Sequence, residues 1–342
     1  MSTINSLHIN ISLQTKPVPQ KGFGTLLAVG SGAAEIAFAY ITEPADMIAL
    51  GYLDTDEEYK MASAYFSQYP RPEKMAVYRK TSATAYDAAL TSLLAANKRD
   101  WYMLAIQSRN KADIDLAAAW GNANSRFGLY ASSDLTVADG KTGEYELHFQ
   151  HKTPGDYPDV RAAGYLSART PGSYILAYGA LNGATNSGLT TTEAVAAEAM
   201  KANYFGEFYG SQVPYPGKVS SGHFMDAIIL RDYVDAKLKE AYAFLLLNLD
   251  VLPYDLGGFA LAASETRTVF KSIGKTGGIA RVYSKEDMEN SDDGLFQYKV
   301  TTPDNLTDIP SNDRANRKAP LTFWFRMSSG MQEFDVTGTV VI

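Results

Sequence analysis

Few residues in this chain could do chemistry. Val29-Gly30-Ser31-Gly32 follows a predicted strand, where a dinucleotide-binding loop would sit. That pattern needs a third glycine, and position 35 is Glu, whose carboxylate opposes a pyrophosphate instead of cradling it. A turn is the better reading. His148 and His151 are three apart, which on a strand puts them on opposite faces and suits no single metal. No carboxylates at ligand spacing support them, and solvated strand-end histidines are expected. Ser272-Ile273-Gly274-Lys275 and Lys275-Thr276-Gly277 match two short motifs of penicillin-recognising enzymes. Those motifs must be separate segments, yet here they share Lys275, so both read as the end of a helix. There is no Gly-x-Ser-x-Gly elbow, Walker loop or His-Glu-x-x-His. With 4 histidines and 0 cysteines, hydrolase and metalloenzyme chemistry has little to work with. The expectation is no enzyme: no catalytic residue, no cofactor and no metal.

Composition narrows the classes further. A chain of 342 residues can hold more than one domain and a sizeable core. The net charge of −7 argues against general nucleic-acid binding, which needs a basic footprint. The absence of cysteine excludes disulfides and thiolate metal sites. No signal peptide and no apolar run near the ~20 residues of a membrane helix is visible. A soluble protein made in the cytoplasm is expected, with no membrane insertion. The 22 Tyr and 15 Phe are generous, and aromatic side chains are favoured at protein–protein contacts.

From 22 to about 132 short apolar strand-like runs alternate with helical patterns. Strands are expected at 25–29, 36–41, 74–79, 101–106 and 126–130, and helices at 55–66, 84–96 and 112–120. Such alternation predicts an α/β layer, doubly wound around a parallel or mixed sheet. A hairpin around Asp139-Gly140 is expected within 137–149, a Pro/Asp-rich loop at 153–159 and a strand at 174–178. An exposed loop at 180–189 precedes a helix from Thr191 to about Ala202.

Next comes the longest helical pattern. Ala227, Leu230, Val234, Leu238, Ala241, Leu245 and Leu249 form one apolar stripe, with Ser221 as a candidate N-cap. Asp235 and Lys239 are spaced to pair off the stripe. Around Phe244-Leu245-Leu246-Leu247 the helix is apolar all round, which predicts an end buried on every side. Pro253 stops it, and a second helix at about 260–273 ends at Gly274 and Gly277-Gly278. Strands at 279–283 and 296–301 and polar loops at 284–294 and 303–318 follow.

Both ends of the chain read as strands. Leu7, Ile9, Ile11 and Leu13 alternate with polar residues, and Lys16-Pro17-Val18-Pro19 makes a stiff connector. Leu321, Phe323, Phe325 and Met327 alternate before Ser328-Ser329-Gly330 turns the chain; Phe334, Val336, Val340 and Ile342 close it. Such strands can fold back or add to a neighbour's sheet. Twenty extended residues reach roughly 65 Å, enough to cross to another subunit.

The punctuation is more specific than the periodicity. Tyr204, Tyr209-Gly210, Gly217 and Gly222-His223-Phe224-Met225-Asp226 precede the long helix. Leu252-Pro253-Tyr254-Asp255-Leu256-Gly257-Gly258 joins it to the second, which ends in Gly277-Gly278-Ile279-Ala280. This order resembles the core of phage contractile tail sheath proteins. Gly22-Phe23-Gly24 at one end resembles that family too, as do Arg314, Arg317-Lys318-Ala319-Pro320 and Val336-Thr337-Gly338-Thr339-Val340 at the other. The resemblance implies a mixed α/β (α+β) fold, with a sheath-type core domain, exchanged terminal strands and an outer α/β domain. It implies a structural subunit whose hexameric rings stack around a tail tube and contract to drive the tube through a host envelope. The partners implied are further copies of itself, the tail tube protein, and baseplate and tail terminator proteins. The place implied is the virion tail, assembled in the bacterial host cytoplasm. The expected division is an arm at 1–20, an α/β domain at 21–215, a sheath core at 216–333 and a second arm at 334–342. Arg267, Lys271 and Lys275 fall at i, i+4, i+8 on the second core helix, with Arg314, Arg317 and Lys318 nearby in sequence. They are the candidate tube-facing residues, set against a plain solvated helix face. The competing readings are a nucleotide-binding α/β oxidoreductase and a non-contractile virion structural protein.

Overall fold

The computed structural model describes residues 23–332. The first half alternates as the periodicity requires: β1 (Leu26–Gly32), β2 (Ile36–Ile41), α1 (Asp46–Ala49), α2 (Glu57–Phe66), β3 (Met75–Thr81), α3 (Tyr86–Ala95), β4 (Met103–Ile106), α4 (Lys111–Asn124), β5 (Phe127–Ser132), β6 (Glu146–Gln150) and α5 (Pro158–Ser167). They build one sheet in the order β2-β3-β1-β4-β5-β6. All its pairs are parallel except β2 with β3.

Side chains along each strand go to alternate faces. Leu26, Ala28, Met75, Val77, Met103 and Phe127 meet α2 and α5 on one face. Leu27, Val29, Ala76, Leu104 and Ile106 meet α3 and α4 on the other. This is the doubly wound layer expected from the sequence. Because β3 lies on one side of β1 and β4 on the other, the winding reverses between β1 and β4.

The second half holds α6 (Thr191–Ala199), the hairpin β7 (Tyr204–Phe208) and β8 (Ser211–Tyr215), α7 (Met225–Asn248), α8 (Leu256–Lys275), α9 (Lys285–Glu289), β9 (Tyr298–Thr301), α10 (Ser311–Ala315) and β10 (Thr322–Phe325). The long helix α7 serves two cores. Met225, Ile228 and Ile229 belong to the α2–α5 side of the α/β layer. Leu230, Val234 and Leu238 pack instead with Phe270 and Ile273 of α8 and Tyr298 and Val300 of β9. Asp232 ties the two together, accepting from the hydroxyls of Tyr102 at 2.9 Å and Tyr145 at 3.0 Å. Asp235 and Lys239 pair at 2.8 Å, as their spacing required. The Asp255 side chain caps α8 by accepting from the Gly258 N–H at 2.8 Å.

Several expectations are corrected. The expected hairpin around Asp139-Gly140 does not form: β6 pairs in parallel with β5, Leu129 opposite Leu147, and thereby buries Leu147 and Phe149. The loop expected at 153–159 ends inside α5, whose Pro158 pre-sets the first turn and whose Val160, Ala163 and Leu166 are buried. The strand expected at 174–178 is irregular, because Gly179 N–H turns back to the Leu176 carbonyl. Ser221 does not cap α7. Its N–H is taken by the Gly143 carbonyl at 3.0 Å, and the helix opens after Phe224. The segment 279–283 makes isolated bridges only, Ile279 with Met327 and Arg281 with Phe296. The two late polar loops hold the short helices α9 and α10. The α7 end is also not buried on every side: Leu246 is 66% exposed, and Phe244 and Leu247 are exposed as well. Past α7 the chain turns at Pro253 into α8, which packs along α7 without covering these side chains.

Candidate functional site

The carboxyl ends of β1, β3 and β4 are where an open α/β sheet offers a ligand crevice. Gly30 and Gly32 of β1 lie there. A Cβ on Gly30 would fall 1.6 Å from Glu58 Oε1, and one on Gly32 would fall 2.8 Å from Arg79 Cδ. Glu58 is buried, and Arg79 holds it with Nε to Oε1 at 2.7 Å and Nη2 to Oε2 at 2.6 Å. Asp56 adds a contact to Arg79 Nη2 at 2.7 Å. The two glycines thus make room for an ion pair of the protein's own, and no pyrophosphate can lie on them. Glu35 accepts from the Tyr78 hydroxyl at 3.2 Å. This removes the sequence feature on which an oxidoreductase reading stood. A cleft of about 560 Å³ remains beside the pair, towards β3 and β4, lined by Ser31, Lys80, Ser82 and Arg109 among others.

His148 and His151 are not solvated. Both are buried, on and just beyond β6. His148 lies over the Tyr130 ring, 5.6 Å between centroids, and 3.5 Å from Glu146 Oε2. Burial alone would raise the Glu146 carboxyl, but His148 and the Gly143 N–H hold it below its ordinary value. His151 Nδ1 accepts from the Thr153 N–H at 3.1 Å, and burial lowers its imidazole. The two rings serve different neighbours, and among the described residues no group of three potential ligands could hold a metal ion.

The other candidate surface is the α7–α8 unit with its two-stranded sheet. Among the described residues β9 and β10 pair only with each other. Phe270 of α8 anchors them, its ring 5.4 Å from Tyr298, 5.1 Å from Phe323 and 5.5 Å from Phe325. Phe323 and Trp324 nevertheless remain exposed. Beside β10 an apolar groove of about 420 Å³ runs against α7, lined by Val234, Leu238, Tyr242, Phe323 and Phe325. At the joint of α7 and α8, Leu246, Leu247, Leu249, Val251 and Leu256 are exposed. Apolar surface grouped in this way marks an interaction site.

The basic residues divide. Arg267 is committed internally, with Nε on Asp292 at 2.7 Å and Nη2 on the Val300 carbonyl at 3.2 Å, which fastens α8 to β9. Lys271 and Lys275 are exposed in the last turns of α8. Arg314, Arg317 and Lys318 are exposed too, but the Tyr254 hydroxyl bonds the Lys318 carbonyl at 3.1 Å, just before α8 begins. The two groups therefore sit at opposite ends of α8, about 25–30 Å apart at 1.5 Å per residue. The arm residues Leu7, Ile9, Ile11, Leu13, Phe334, Val336, Val340 and Ile342 lie outside the described residues. At the near edge of the N-terminal arm, Phe23 packs on Tyr102 and Tyr233, 4.6 and 5.6 Å between ring centroids.

No family model and no curated protein matches this sequence. Solved structures do match its fold. A chain in the cryo-EM structure of the anti-feeding prophage baseplate, 6-fold symmetrised, aligns over 100% of both chains at TM-score 0.68 and 12% identity. A chain of the PVC sheath complex, an extracellular contractile injection system in its contracted state, aligns over 99% of this chain and 98% of its own at TM-score 0.67 and 13% identity. The sheath tail protein of Desulfitobacterium hafniense aligns over 86% of this chain and 93% of its own, at TM-score 0.59 and 10% identity. The fold is the mixed α/β fold of contractile sheath proteins, as the order of glycines and prolines implied.

Proposed function

We propose that this chain is a structural subunit of a contractile sheath on a phage-tail-like particle. The observation that carries the reading is the fold agreement with the contracted PVC sheath chain, which runs through 99% of this chain. At that coverage the α/β layer, the α7–α8 unit and the β9–β10 sheet all take part.

In this reading hexameric rings of the chain stack helically around a tail tube, and contraction drives the tube through a host envelope. The division into arms at 1–20 and 334–342, an α/β domain at 21–215 and a sheath core at 216–333 belongs to the same proposal. The terminal arms add as strands to a neighbouring copy. The two-stranded β9–β10 sheet supports this, because a sheet that small gains stability from further strands. The exposed apolar joint at Leu246 and Val251 supports burial between copies. Lys271 and Lys275 are the tube-facing candidates that remain together, with Arg314, Arg317 and Lys318 as a separate basic group. Baseplate and terminator proteins cap the stack, and assembly takes place in the host cytoplasm. The chain acts as a spring, not as an enzyme. A preference of ~1 kcal/mol per subunit for the contracted lattice, the net worth of one hydrogen bond, sums to ~100 kcal/mol over a hundred subunits.

Electron microscopy of the purified full chain tests the reading. Tubes built from stacked six-membered rings are expected. Particles that stay monomeric at every concentration tried would overturn it.

A further inference from the structure

His151 has no part in sheath assembly as proposed, yet its ring pins two loops together. It is 1% exposed and lies just beyond β6. Its Nδ1 accepts from the Thr153 N–H at 3.1 Å. A ring nitrogen that accepts carries no hydrogen, so the neutral ring keeps its hydrogen on Nε2. That nitrogen faces the Thr185 carbonyl at 3.3 Å and the Thr185 hydroxyl at 3.2 Å. The first contact shapes the turn at 151–156, and the second reaches the loop at 180–189.

The loop is fastened on either side of Thr185. Asn182 exchanges two bonds with the Gln68 side chain, at 2.9 and 3.0 Å. The Ser187 carbonyl accepts from the Lys152 N–H at 3.0 Å, and the Ser187 N–H donates to the Phe205 carbonyl at 2.9 Å. Between these points, among the described residues, Thr185 is hydrogen-bonded by His151 and Asp156 alone.

The ring suits this place only when neutral. A hydrogen on Nδ1 would point at the Thr153 N–H. The Thr153 hydroxyl, 3.2 Å from Nδ1, can accept it, but the Thr153 N–H then loses its acceptor. The surrounding charges have partners of their own. Asp156 Oδ2 takes the hydroxyls of Thr153 and Thr185, each at 2.8 Å, and Asp159 pairs with Arg109. Lys152 turns away to Glu193 at 2.9 Å, and Arg161 Nε donates to the Asp156 carbonyl at 2.9 Å. Burial disfavours the charged ring and outweighs the pull of Asp156 and Asp159, so the imidazole lies below its ordinary 6.5.

We propose that His151 is a proton-operated latch. Neutral, it fastens the turn at 151–156 to the loop at 180–189; protonated, it releases Thr185 and opens both segments to water. Below 6.5 the opened form binds the proton more tightly than the closed form, so a falling pH favours opening. The hydroxyls of Thr185 and Thr153 hold Asp156 below its ordinary 3.8, so it stays ionised while His151 titrates. The latch belongs to the individual subunit and does not depend on the sheath reading.

The test is hydrogen–deuterium exchange of the full chain, read by mass spectrometry, in the wild type and in His151→Asn. The asparagine keeps an acceptor for the N–H two residues on but does not titrate. At about pH 7.5 the peptides 153–157 and 182–188 should exchange at similar rates in the two proteins. Below 6.5 the wild type should gain on the variant, by up to about tenfold per pH unit until the folded value is passed. Peptides of β1 should show no such divergence. If the variant does not fold, the wild-type rates decide, corrected for the intrinsic pH dependence of amide exchange and set against β1. A ratio that stays level down to about pH 5, or a rise shared equally by β1, would overturn the proposal.

Discussion

Arg79 grips Glu58 with both prongs of its guanidinium, at 2.7 and 2.6 Å, inside the space that side chains at positions 30 and 32 would need. Glu58 is 1% exposed, so the pair is costly to break on one side only. Arg79→Met is expected to destabilise the unassembled chain by about 3 kcal/mol in urea unfolding. Gly30→Ala should also destabilise it, by expelling the carboxylate. In a Glu58→Ala background most of the Gly30→Ala cost should vanish, since the two sites share one volume. Strictly additive costs would mean that Gly30 serves some other contact.

Asp226 gives a pH dependence. It is buried in the first turn of α7, and burial raises its carboxyl above the ordinary 3.8. Between that value and the raised folded one, the native state binds more protons than the unfolded state, so this group's contribution falls as pH rises. The full cost is present above the folded value and absent below 3.8. Asp226→Asn is therefore expected to melt higher than wild type at pH 7, with the gap closing as the pH falls towards 3.8. A gap that stays constant with pH would show that the carboxyl is not the cause.

Deleting residues 1–14 should leave a folded subunit that does not assemble. The deleted stretch ends before the Pro-rich connector and before Phe23, which packs on Tyr102 and Tyr233. Circular dichroism and the melting curve should match the full chain, while tubes disappear from electron micrographs. Ordered tubes from the truncated chain would rule out strand exchange through this arm.

Reversing Lys271 and Lys275 to Glu should weaken extended sheath–tube complexes, most visibly at low salt, and spare tube-free assembly. Both side chains are exposed at the end of α8, so the fold should lose little, on the order of 0.5 kcal/mol. Equal loss of both assemblies would point to a contact between sheath subunits. No loss of either would leave an ordinary solvated helix face, with cations favoured by the helix C-terminus.

Much of this architecture was legible in the sequence because its signals are local. The short apolar run of Leu26 to Val29 and the three-and-four spacing of Leu230, Val234 and Leu238 need only near neighbours to be read. Pro253 and Gly277-Gly278 mark where helices stop for reasons of backbone geometry. The order of such marks was specific enough to imply the sheath fold. What the sequence could not decide depends on residues far apart in the chain. β6 could turn back on its own loop or join β5, and burial of Leu147 and Phe149 chose the second. The apolar tip at Leu246 reads the same whether or not another layer covers it, and only the packing of α8 leaves it bare. Gly30-Ser31-Gly32 reads as a phosphate turn or as plain punctuation until Glu58 and Arg79 arrive from other elements to fill it. Periodicity is written along the chain, whereas volume and charge compensation exist only between elements once they are packed.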